Sequence, residues 1–244
     1  MLEGGHGANA PDELVIHRDR RGGVTGLVYY GAQLVAAADD DAAIDAFAIE
    51  TRKHRGLRSF VGPKATIDAL WARVRSWHPP PLVVREAQPL YVLRSGALRA
   101  GDADVDVRPA VAAEAELIAE QSAAMIEGEL GYDPRANRGG FVATVRRGIA
   151  LGLWWVWIVD GTLRFQCNLG PRTIATLQLQ GVWTPPGARG HGYARAALAS
   201  IARRLLASEA TLSLYVNDFN QPAISLYEGL GFVQVGTLAT YLFP

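Results

Sequence analysis

Between Val182 and Leu206 the chain reads VWTPPGARGHGYARAALASIARRLL, and this stretch leaves few folding choices. An apolar strand ends near Val182, a Pro/Gly loop turns the chain, and a helix runs from about Gly190 to Leu206. Its Ala194, Ala197, Leu198, Ile201 and Leu205 recur at helical spacing and form one apolar face. The first N–H groups of such a helix have no intrahelical acceptor and lie at the positive end of the peptide dipoles. The loop is thus a place for a phosphate anion, where Gly190 and Gly192 keep Cβ atoms out of the way and Ala194 keeps the first turn slim. Taken alone, a glycine pair serves any tight strand-to-helix turn equally well. No Lys-Ser/Thr pair follows, which excludes a nucleoside-triphosphate loop, and the spacing is not the dinucleotide fingerprint.

A second run, LYVNDFNQPAISLYEGLGF, places Asn220 after an apolar strand and before a short helix over Gln221 to Gly229. Asn220, Ala223, Ile224 and Tyr227 stand at i, i+3, i+4 and i+7, so they share one helical face. Pro222 is tolerated in the first turn, where its missing N–H is not needed. The plain reading makes Asn220 a helix cap and Tyr227 a packing residue.

Taken together the two runs are more specific. Arg189-Gly190-x-Gly192-x-Ala194 after a strand, then Asn220-x-x-Ala223-x-x-Leu226-Tyr227 and Gly231-Phe232, closely resembles the signature of the GNAT superfamily of N-acetyltransferases in order, spacing and context. The resemblance covers residues 104–244 and implies an α/β (α+β) GNAT fold, a central mixed sheet flanked by helices. It also implies acetyl-CoA as cosubstrate. Arg189, Gly190, His191, Gly192, Tyr193 and Ala194 would hold its pyrophosphate, with Arg189 using its side chain and the others their backbone. Val182, Trp183 and Thr184 would line the pantetheine arm, with the Val182 backbone as oxyanion donor. Asn220 would contact the cosubstrate, and Tyr227 would both touch it and protonate the departing thiolate.

The implied reaction is direct attack of a primary amine on the thioester in a ternary complex, with no acyl-enzyme. The acceptor class stays open between a small-molecule amine and a protein or peptide amine. The general base also stays open. Where some members carry a glutamate this chain has Thr176, leaving Glu127, Glu129 or a water held by Gln178 or Gln180. His191 reads as a loop residue. The rival reading is a non-catalytic acyl-CoA-binding or regulatory module of the same fold.

A length of 244 residues favours two domains over one large one. Residues 1–12 read as a disordered leader, 13–94 as a smaller αβ domain, 95–103 as a linker and 104–244 as the catalytic domain. In the first domain, Val24 to Tyr30 and Gln33 to Ala38 suggest a hairpin, and Asp39 to Asp41 an acidic cap for a helix through Thr51. Ser59 to Val61 reads as a strand, Ile67, Leu70, Trp71 and Val74 as one face of a helix, and Leu82 to Val84 and Leu90 to Leu93 as two further strands. RSFVGPKATIDALW and VREAQPLYVL resemble the N-terminal domain of a little-characterised two-domain bacterial GNAT subgroup. This half lacks the R-x-x-G-x-A run, so a degenerate GNAT-like domain without a CoA loop is expected.

In the second domain, Val105 to Arg108 reads as a strand, Pro109 opens a helix, a polar stretch spans Glu127 to Asn137, and a second helix spans Gly140 to Ala150. Asp160-Gly161 predicts a two-residue hairpin turn between strands Leu153 to Val159 and Leu163 to Leu169. A strand over Ala175 to Trp183, one over Leu212 to Val216 and a closing strand pair within Phe232 to Phe243 complete the pattern.

The formal net charge of +0, with 20% charged residues, gives no reason to expect nucleic acid or an anionic membrane as partner. No His/Cys cluster has metal spacing, so no metal is expected. The single Cys167 fits a reducing, cytoplasmic setting, and as a nucleophile it is disfavoured by its apolar strand context. A homodimer is an open option.

Overall fold

The computed structural model describes residues 12–54, 56–101, 104–130, 133–209 and 211–244. Most of the expected leader, and residues 102 and 103 of the expected linker, lie outside them. The chain forms two compact units. The first holds the described residues up to Leu90 with Asn217–Phe219 and Gly236–Pro244, and the second holds Tyr91–Val216 with Asn220–Val235.

In the first unit, β1 (Glu13–Arg18), β2 (Val24–Tyr30) and β3 (Leu34–Ala38) form an antiparallel meander. Helix α1 (Asp41–Thr51) then leads to β4 (Ser59–Pro63), which lies parallel to β3, and α2 (Lys64–Val74) follows. Residues Leu238–Leu242 of the C-terminal strand pair antiparallel with β4. Alternation decides the faces: Val28, Tyr30, Leu34 and Ala36 bury against Ala43, Phe47, Ile67 and Leu70. Their neighbours Leu14, Ile16, Leu27, Tyr29 and Val35 remain exposed. Asp40 caps α1, its Oδ1 accepting from the Ala43 N–H at 2.8 Å. Arg73 of α2 reaches Asp41 at 2.8 Å and also pairs with Asp45.

The two strands expected over 82–93 are one, β5 (Val83–Arg94), which passes through Pro89. Its polar interior is satisfied rather than solvated. Buried Gln88 donates Nε2 to Asn217 Oδ1 at 3.1 Å, and its Oε1 accepts from Thr240 Oγ1 at 2.6 Å. β1, whose Leu14, Val15 and Ile16 form a short apolar run, was not foreseen.

In the second unit the expected strand Val105–Arg108 shrinks to β6 (Arg108–Pro109). Helix α3 (Ala115–Leu130) starts after a 3₁₀ turn and runs into the stretch expected to be irregular, because its inner face is carried by Ala115, Ile118, Ala119 and Ala123. Helix α4 (Arg138–Ala150) follows. β7 (Trp154–Val159), β8 (Thr162–Arg172) and β9 (Leu177–Trp183) make a second antiparallel meander. Asp160 and Gly161, at φ 48° and 71°, form the turn expected between the first two. Helix α5 (Tyr193–Leu205) leads to β10 (Thr211–Tyr215), parallel to β9, then α6 (Gln221–Gly229) and β11 (Val233–Leu242). β11 is one strand where a pair was expected.

The segment 95–101 is held within this unit. The Arg99 N–H donates to Leu230 O at 2.9 Å, and Arg203 donates to Gly101 O at 2.7 Å. One cluster, including Phe165, Cys167, Leu179, Leu198, Ile201, Leu214 and Tyr227, forms the core beneath α5 and α6. Another, with Ile118, Val142, Val145 and Val156, lies beneath α3 and α4.

The units therefore repeat one succession: antiparallel meander, helix, parallel strand, helix. Asp40→Ala should lower the unfolding free energy of the first unit by about 1 kcal/mol, measured by urea denaturation.

Candidate active site

Strand β9 leaves its sheet on both sides. Against β8 the register passes from Asn168↔Gln180 to Gln166↔Trp183, so β9 carries one extra residue there. Gly181, at φ 56°, adopts the left-handed conformation that the bulge needs. A Cβ there would also lie 2.5 Å from Asn168 Oδ1. On its other side β9 pairs with β10 only at Leu212↔Leu177 and Ser213↔Gln178, although both strands continue. The backbone from Leu179 to Trp183 thus forms an open edge to which an extended ligand can add hydrogen bonds.

Beyond this edge the chain turns through Pro185 and a 3₁₀ turn at Pro186–Ala188. Gly190 and Gly192 both have φ 78°, and no atom lies within 4 Å of a Cβ built on either. Their glycine requirement is therefore conformational. Gly192 is the N-cap residue of α5, whose first turn has no acidic residue while its last carries Arg203 and Arg204. The N–H groups at the start of α5 are left for an external acceptor.

The expected residues Trp183, Thr184, Arg189, His191 and Tyr193 contact one another along this loop. The Arg189 guanidinium lies 4.8 Å over the Trp183 ring, and its Nε donates to Thr184 O at 3.1 Å. His191 donates Nδ1–H to Arg189 O at 2.8 Å and stacks on Tyr193, a loop role rather than a base's. Val182 and Ala194 pack, with Ala223, into the same cluster as Tyr227. Asn220 caps α6, its Oδ1 accepting from the Ala223 N–H at 3.3 Å. Tyr227 is 5% exposed and packs on Phe232 and Tyr91 at ring distances of 5.8 and 6.5 Å. Burial first, then the charge of Glu129, raises its phenol above the usual range.

The other candidates separate clearly. Glu127 is ion-paired with Arg135, which also holds Glu120 and Asp133. Glu129 is exposed, and its charge is felt at Tyr227. Thr176 closes a turn with Thr173 ahead of β9. Gln178 accepts from Gln180 Nε2 at 2.7 Å. Cys167 is fully buried, and burial pushes its thiol up to about 12, which removes the thiolate needed for nucleophilic attack.

Three polar residues, Gln166, Ser122 and Gln121, were not foreseen. Gln166 is fully buried on β8 and donates Nε2 to Ser122 Oγ at 2.9 Å, while its Oε1 has no partner among the described residues. Gln121 accepts from Trp183 Nε1 at 3.2 Å. The Thr184 hydroxyl is buried and unpartnered among the described residues. A buried hydroxyl at the end of an open strand edge, beside a helix start lacking acceptors, fits an extended, phosphate-bearing ligand. The contact of Gln166 with Ser122 of α3 depends on packing between elements far apart in the chain.

Comparison with known proteins agrees with this geometry. Residues 175–241 match the family described as FR47-like protein, and residues 15–118 match a domain of unknown function, DUF4081. A mycothiol acetyltransferase of Frankia casuarinae is 28% identical over 233 residues, which cover 91% of this chain. The chain spans 64% of that protein's length. Among solved structures, a GNAT-family acetyltransferase from Colwellia psychrerythraea superposes with a TM-score of 0.59 at 12% identity, covering 96% of this chain and 86% of that one. A GCN5-related N-acetyltransferase from Kribbella flavida does so with a TM-score of 0.57 at 14% identity, covering 96% and 90%. The fold is thus that of the GNAT acetyltransferases, and the matched C-terminal region is FR47-like. The DUF4081 match over residues 15–118 and the FR47-like match over residues 175–241 fit a two-domain arrangement.

Gly192→Ala should cost about 1–2 kcal/mol of stability through left-handed strain, whereas Gly187→Ala, in open space at an ordinary φ, should be near neutral. Urea unfolding of the two variants checks the contrast.

Proposed function

We propose that this chain transfers an acetyl group from acetyl-CoA to a primary amine by direct attack in a ternary complex. The observation that carries the reading is the convergence, in one unit, of the open β9 edge, the left-handed glycine start of α5 and buried Tyr227. The N–H groups from Gly190 to Ala194 would take the diphosphate. The β9 backbone would hold the pantetheine arm, and the Val182 N–H would stabilise the oxyanion that forms as the amine attacks.

Tyr227 would give its proton to the leaving thiolate. Because burial raises the phenol, it stays protonated through the neutral and mildly alkaline range, as an acid must. Glu129 is our candidate base, since its charge reaches Tyr227. The acceptor would lie against Gln121, Ser122, Gln166 and Asn168, a neutral hydrogen-bonding surface. The name of the Frankia relative makes mycothiol chemistry the first acceptor class to try.

The first unit would not bind a second acetyl-CoA. At the corresponding helix start it places Asp39, Asp40 and Asp41, and the Asp40 carboxylate already takes the Ala43 N–H and puts negative charge where an anion would sit.

Steady-state assays of acetyl-CoA turnover with a panel of amines test the reading. Tyr227→Phe should lower kcat about 100-fold or more with CoA affinity unchanged, and Glu129→Gln should lower kcat most at neutral pH. The rate should rise with pH to a plateau without a falling limb below the ordinary tyrosine range. Calorimetry should give one CoA per chain. Tight CoA binding with no transfer to any amine would instead support a non-catalytic acyl-CoA-binding module.

A further inference from the structure

The second unit contains a cation that the roles above leave unused. Between Trp157↔Phe165 and Ile158↔Leu163, β8 carries one residue more than β7, and that residue is Arg164. Such a bulge takes a side chain out of strict alternation and re-aims it. Leu163 accordingly packs under α3 and α4, and Phe165 packs under α5. Arg164 turns toward the start of α5, its guanidinium carbon 5.6 Å from the centre of the Tyr193 ring. Trp157 meets the same ring edge-on at 5.1 Å.

This guanidinium has no counter-charge. Its Nε is buried without a hydrogen-bond acceptor, and no carboxylate pairs with it among the described residues. Its surroundings are also of the wrong sign. The first turn of α5 has no acidic residue, and Arg189 stands on the same loop. A half-buried cation beside the positive end of a helix is costly to maintain unless an anion arrives. A cation–π contact with Tyr193 fixes its direction without neutralising it.

We propose that Arg164 is a phosphate-binding residue of the cosubstrate, meeting a phosphate of CoA from the Tyr193 side of the α5 start. Its planar fork suits a phosphate held by paired N–H donors, which a lysine would meet as a point charge. The proposal rests on the acyl-CoA reading of the loop, and it adds a side chain that no part of the GNAT-like motif contains.

Calorimetric titration of the full chain with CoA and with dephospho-CoA tests it, using wild type, Arg164→Gln and Arg164→Lys, with thermal melting without ligand as the folding control. Arg164→Gln should weaken CoA binding about tenfold or more, equivalent to about 1.4 kcal/mol, with Arg164→Lys intermediate. Loss with CoA but not with dephospho-CoA assigns the contact to the 3′-phosphate; equal loss with both assigns it to the diphosphate. Unchanged affinity for both ligands in folded Arg164→Gln overturns the proposal and leaves Arg164 as a packing partner of Tyr193. If Arg164→Gln does not fold, the lysine variant decides by the same comparison. Failure of the wild-type chain to bind CoA overturns the acyl-CoA reading itself, a distinct result.

Discussion

A strand held at one end and released at the other is the constraint on which the second unit depends. Leu177 and Gln178 tie β9 to β10, and beyond them the pairing stops. The extra residue at Gly181 then lifts the same strand out of register with β8. Unpaired backbone inside a protein is expensive, so an opening of this kind persists only where the surrounding packing enforces it. Here α3 supplies Gln121, Ser122 and Met125 on one side, and the α5–α6 core supplies Leu198, Leu214 and Tyr227 on the other. The opening is thus built into the core.

The two units show how the same succession of elements diverges through charge. In each, a meander feeds a helix that returns to a parallel strand. At α1 the chain supplies its own anion, since Asp40 caps the helix and Arg73 secures Asp41 and Asp45. At α5 it supplies none: glycines shape the approach, Arg164 and Arg189 lie against Tyr193 and Trp183, and the buried Thr184 hydroxyl has no partner among the described residues. Opposite charge at equivalent helix starts separates a closed structural cap from an open anion site.

How much of this was legible in the sequence follows from how local each signal is. The start of α6 was readable to the residue and its end approximately, because Asn220, Pro222 and Gly229 act within a few positions of one another. The Asp160-Gly161 turn was readable for the same reason. The continuity of β5 through Pro89 was not, since it depends on Gln88 finding Asn217 and Thr240 far away in the chain. Nor was the direction of Arg164, which is set by the register between β7 and β8. Of the expected site, the loop and Tyr227 were visible as a pattern. The buried amides facing α3 were not, because a polar residue at every second strand position looks the same whether it meets water or another helix.

Cys167, the chain's one cysteine, lies sealed under α5 with its thiol pushed up to about 12. A disulfide reagent added to the folded protein therefore meets no accessible sulfur. Under the proposed reaction, with an acceptor that carries no thiol, the sulfur it would titrate is that of released CoA, with no blank for the enzyme. The same seclusion leaves the protein no surface cysteine through which to form a covalent dimer on storage.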